Sequence, residues 1–146
     1  SAQVGGRAIW IVPSAFVGAM ALGGVLGLIG IALPATEIGI ALSVLCLGAV
    51  IAAENHMVIP LAAIAVGLFG LCHGNAHGLE MPASQSPLGY AIGFLATTAG
   101  LHVIGAVLAL LLLKRGKGRM ALRLGGAATS LAGVAFVLPL VGLPMS

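Results

Sequence analysis

Charged side chains are nearly absent from five long apolar stretches of this chain, at about 9–33, 37–53, 58–79, 88–113 and 120–142. A bilayer core takes ~20 helical residues to cross, so each stretch is a candidate transmembrane helix, the second being short at about 17 residues. None alternates polar and apolar residues over ~10-residue segments, which argues against a membrane barrel. Only 6% of the 146 residues are charged and 60% are hydrophobic. Soluble domains carry about 25% charged residues, so this composition excludes a water-soluble globule, a disordered tail and a nucleic-acid binder. Glycine is abundant, at 23 residues, while aromatics make up 4%; helices that approach closely through small side chains have this bias. The breaks fall at Leu33-Pro34, Ala53-Glu54-Asn55-His56, Met81-Pro82 through Ser86-Pro87, and Lys114 through Arg119. No linker separates domains. The expectation is an all-α polytopic transmembrane bundle of about five spans over residues 1–146.

The basic residues set an orientation. Lys114, Arg115, Lys117, Arg119 and Arg123 flank the fourth loop, and five spans place Arg7 on the same side. The positive-inside rule makes that side cytoplasmic, with the C-terminus outside. Glu54 and His56 then belong to an inward, solvated loop. Cys46 and Cys72 fall in apolar runs and read as small buried hydrophobes rather than a disulfide. Gly23 with Gly27, and Gly89 with Gly93, read as packing positions. The start at Ser1, with no initiator Met or signal sequence, fits either processing or a missing upstream part.

Ionisable groups inside a membrane are costly and mark function. His73, His77 and Glu80 are spaced i, i+4, i+7 and share one helical face, beside a stripe of Gly70, Gly74 and Gly78. Two imidazoles and a carboxylate in that pattern read as a divalent-metal site. By helical rise, His73 lies ~9 Å below the outer end of its span, with His77 and Glu80 at the mouth. Glu37 sits at the same outer level, either as a site member or as a charge favoured at a helix N-terminus. The fourth span adds Thr97, Thr98 and His102, the last ~20 Å from the outer end. Polar groups at successive depths are what a permeation path requires. Ser14, Ser43 and Ser130 have no evident His partner and the chain contains no Asp, so no enzyme is expected. A haem reading stays open, with His73 or His77 and His102 as axial ligands on facing helices.

Four segments occur in order: Gly5-Gly6-Arg7-Ala8-Ile9-Trp10-Ile11-Val12-Pro13, Leu33-Pro34-Ala35-Thr36-Glu37, His73-Gly74-Asn75-Ala76-His77-Gly78-Leu79-Glu80, and Thr97-Thr98-Ala99-Gly100-Leu101-His102. Together they resemble the HupE/UreJ family of hydrogenase and urease accessory membrane proteins. The resemblance implies a multi-pass nickel permease of the bacterial inner membrane, with cobalt as an alternative ion and no tightly bound organic cofactor. It implies metal handling by His73, His77 and Glu80, supported by Glu37 and His102. On this reading Glu80, His77 and Glu37 capture the ion, His73 takes it inward, and His102 with Thr97 or Thr98 forms a deeper stop. The family's first helix, with its His-Pro-x-x-Gly-x-Asp-His motif, has no match here, which a fragment or a shortened relative would explain. The competing reading is a non-transporting subunit of a larger membrane complex, or a homo-oligomer, with the lipid bilayer as the common partner.

Overall fold

The structure, a computed structural model, describes residues 1–55 and 57–142. The described residues form five helices and no strand: α1 (Ala8–Leu28), α2 (Thr36–Ala52), α3 (Ile59–Leu79), α4 (Pro87–Leu113) and α5 (Gly118–Leu140). Four of them are long and apolar enough to cross a membrane, while α2 has 17 residues. At 1.5 Å per residue α2 is about 26 Å long, slightly less than the ~30 Å of bilayer hydrocarbon.

Local chemistry sets the ends. The apolar run of the first span continues to Leu33, yet α1 stops at Leu28. Gly30 adopts φ +82° there, a conformation glycine takes without steric cost. Its N–H bonds the Gly27 carbonyl and the Ile31 N–H bonds Leu26, a Schellman closure that hydropathy alone does not reveal. At the start of α4, Ser86 Oγ accepts from the Gly89 N–H at 3.3 Å and Pro87 occupies the first turn. The C-terminal carbonyls of α2 receive two side chains: Gln3 Nε2 donates to Ile51 at 3.2 Å and Arg123 Nε to Ala52 at 3.1 Å.

Helix register fixes direction. Gly70 packs on Phe16, Gly74 on Met20 and Gly78 on Gly24, so α1 and α3 run parallel. Gly48 packs on Gly126 and Ser130, and Gly133 on Leu45, so α2 and α5 are antiparallel. Phe94 of α4 meets Gly24 while His102 meets Phe16, which makes α4 antiparallel to α1. Directions therefore alternate along the chain, and α2 returns through the same layer that α1 and α3 traverse. One end of the bundle collects Arg7 and the 114–123 segment; the other collects Glu37 and Glu80.

The α1–α3 and α2–α5 seams are backbone against backbone. A Cβ on Gly27 would stand 2.8 Å from Gly78 Cα, and one on Gly126 2.7 Å from the Ala52 nitrogen. Small residues permit this approach, and dispersion between closely packed backbones is what joins helices in lipid. Met20 and Asn75 are the largest fully buried side chains. Most other apolar side chains, such as Leu22, Ile64, Leu101 and Leu131, point outward. Two sequence expectations need correcting. Gly89 has only Ser86 nearby and Gly93 has nothing within 4 Å, because no residue of α4 is buried. Cys46 is exposed and Cys72 half-buried against Gly39, both as free thiols. His56 lies outside the described residues.

Candidate functional site

The last two turns of α3 hold the polar cluster. His73 and His77, one turn apart, have ring centroids 4.8 Å apart at 73°. That i, i+4 spacing lets two imidazoles of one helix share a metal. Both rings are half-buried, His73 toward α1 and His77 toward α4, because the glycine stripe that packs on α1 occupies the adjacent flank of α3.

Each outer ring has an aromatic neighbour. His77 stacks on Phe94 at 5.3 Å and 11°, and its Nδ1 lies 3.3 Å from the Tyr90 hydroxyl. His73 meets Phe16 at 5.9 Å. Phe16 in turn meets His102 at 5.1 Å. His102 Nδ1 lies 2.8 Å from the Thr98 carbonyl oxygen. A carbonyl only accepts, so Nδ1 donates and a neutral ring keeps its Nε2 lone pair free. Metal-binding histidines are commonly oriented in this way.

The register places these rings at different depths. His73 precedes Gly74, which packs on Met20, while His102 lies beside Phe16, four residues earlier on α1. His73 is therefore level with Ala19 of α1, three residues from Phe16, and at 1.5 Å per residue His102 is about 4.5 Å deeper than His73. Below it lies a cavity of about 560 Å³ between α1, α2, α3 and α4. His102 and Phe69 line its inner end, and Gln3 and Asn55 line its mouth at the basic end of the bundle.

The other expected members lie apart from the imidazole pair. Glu80 is exposed and caps the C-terminus of α3; Glu37 is exposed in the first turn of α2. Thr97 is exposed on α4, and Thr98 contributes its main-chain carbonyl rather than its hydroxyl. Among the described residues, no three His, Cys, Asp or Glu side chains converge on one point where a metal ion would fit.

Sequence reasoning passed over Asn75, the one buried polar side chain among the described residues, at 0% exposure. Its Oδ1 accepts from Leu33 N–H at 3.0 Å, and its Nδ2 donates to the Ile31 carbonyl at 2.8 Å and the Gly23 carbonyl at 3.4 Å. It ties the loop leading to Glu37 onto the helix that carries the histidines. A lone amide at the centre of the His73–Glu80 run was the available signal. Tyr90 and Phe94 had none, since their role depends on how α4 lies against α3.

The family profile described as HupE / UreJ protein matches residues 1–136. Protein HupE of Rhizobium leguminosarum bv. viciae is 50% identical over 139 residues, covering 94% of this chain and 72% of that protein. No solved structure matches. With a whole-chain profile match and half of its residues shared with that relative, the chain belongs to the HupE/UreJ family.

Proposed function

We propose that the chain is a bacterial inner-membrane permease for a divalent transition metal, nickel with cobalt as the alternative, that supplies hydrogenase or urease maturation. The observation that carries this reading is the His73–His77 pair, 4.8 Å apart inside an apolar bundle. It lies between two carboxylates at one end and the His102 cavity at the other. Glu37 and Glu80 raise the local concentration of cations at the outer mouth. Two neutral imidazoles replace part of the ion's water shell, and the remaining positions stay hydrated. Such a partial ligand set suits Ni(II), and the absence of a thiolate cluster disfavours Cu(I). It also keeps affinity moderate, as a permeating ion must leave again. His102, with Nε2 free, is the next ligand inward. The positive-inside rule puts the basic end in the cytoplasm, so the direction of travel is inward.

The open face of α4 favours an accompanying reading, in which this helix packs against further helices of an oligomer or a larger complex. No residue of α4 is buried, and Gly93, Gly100 and Gly105 have nothing within 4 Å. This adds an assembly state to the permease and leaves its chemistry unchanged.

The test is Ni(II) binding to the purified protein and Ni(II) uptake by cells, with His73→Ala/His77→Ala as the comparison. Stoichiometric binding that is lost in the double variant, with uptake down at least tenfold and insertion intact, is the expected result. Equal binding and uptake in the double variant would overturn the assignment.

A further inference from the structure

We infer that Phe16 is the barrier that divides the path in two, with His73 and His77 in an outer compartment and His102 at the head of an inner vestibule. The inference rests on the permeation reading above and specifies how that path is closed. The Phe16 ring contacts both flanking imidazoles, at 5.9 Å to His73 and 5.1 Å to His102. It is tilted by 46° and 39° to them, so neither imidazole stacks flat against it. The cavity of about 560 Å³ from the basic end reaches inward to His102 and Phe69 and does not include His73 or His77. One turn along the same face of α1, Met20 is fully buried and seals the seam on the outer side of Phe16.

The backbone under the ring is held in place. A Cβ on Gly70 would run into the Phe16 carbonyl oxygen and stand 3.1 Å from its carbonyl carbon, so α3 fixes the Phe16 main chain and leaves only its side-chain torsions to move. A phenyl group has no lone pair with which to replace a water ligand. A hydrated cation therefore cannot pass from His73 to His102 along a line of ligands while the ring stays in place. Apolar constrictions in channels close in this way, by excluding water rather than by filling the whole bore. Rotation of one side chain would join the compartments, which fits stepwise transfer between two imidazole stations better than a continuous pore.

Thiol accessibility tests the barrier without using metal. The full chain carrying Cys46→Ala, Cys72→Ala and His102→Cys is placed in membrane vesicles of each orientation. Labelling by a membrane-impermeant thiosulfonate is then timed from each side. With Phe16 intact, the thiol should label from the basic end and at least tenfold more slowly from the carboxylate end. Adding Phe16→Ala should raise labelling from the carboxylate end at least tenfold, whereas Phe16→Leu, which keeps an apolar plug, should not. Phe16→Val replaces the alanine variant if the latter is not monodisperse in detergent. Equal labelling from both ends with Phe16 intact, no labelling from the basic end, or no effect of truncating Phe16 would each overturn the inference. Loss of the nickel reading would appear separately, as unaltered Ni(II) binding in the His73→Ala/His77→Ala protein.

Discussion

Asn75 shows how much one residue can organise. An amide in a membrane interior must find partners, since no water is present to satisfy it. Asn75 uses both its oxygen and its nitrogen on backbone groups, two in the turn after α1 and one at Gly23. Replacing it by Ala leaves the Leu33 N–H and the Ile31 carbonyl without these partners, a loss of about 1–3 kcal/mol. Asn75→Asp keeps the shape but removes both donor hydrogens, so it should be at least as damaging. A lower thermal midpoint in detergent for both variants is the expected result. An unchanged midpoint would show that the turn holds itself. If the proposed permease function holds, Ni(II) uptake should also fall, because the turn that positions Glu37 is released from α3. The adjacent histidines were legible from spacing alone. The amide's role was not, because its partners lie 42 to 52 residues away in the chain.

At the scale of the element, the α1–α3 pair is the frame on which the site is built. Its glycines are packing positions for which alanine is already too large. In Gly27→Ala the new Cβ would meet Gly78 Cα at 2.8 Å and the Asn75 carbonyl, both backbone, so the helices must move apart. Overpacking of this kind costs roughly 1–3 kcal/mol. Gly93→Ala is the matched contrast, since nothing lies within 4 Å and helix propensity alone favours alanine by about 1 kcal/mol. Thermal denaturation of the two variants should therefore move in opposite directions. If Gly27→Ala were as stable as Gly93→Ala, the close α1–α3 register would be wrong. The sequence presented Gly23, Gly27, Gly89 and Gly93 as equivalent small-residue pairs. Only the fold distinguishes the pair inside a seam from the pair on an open face.

Across the whole molecule, charge and direction agree. Alternating helix directions bring all six basic side chains to one end and leave Glu37 and Glu80 at the other. Gln85→Cys in the loop between α3 and α4, and Gly116→Cys between α4 and α5, should label from opposite faces of the membrane in a background lacking the native cysteines. Gly116→Cys is expected on the cytoplasmic side. Labelling of both from one side would mean that α4 does not cross.

What the sequence determined by itself was everything that depends on local composition and period. That includes the all-helical bundle, the one-turn spacing of His73 and His77, the grouping of positive charge around the fourth loop, and the family. Burial in lipid acts on each stretch separately, so these properties survive without knowledge of contacts. The tertiary structure decided which helices pair, and pairing is set by close backbone approach between segments far apart in sequence. From it follow the Asn75 clamp, the stacking of His77 on Phe94, the depth of His102, and the contacts of Phe16 with both His73 and His102. None of these has a period or a composition that betrays it. The Asn75 clamp exists because α1 and α3 run side by side through their glycines, and the others also require α4 to lie against that pair; hydropathy leaves both registers undetermined.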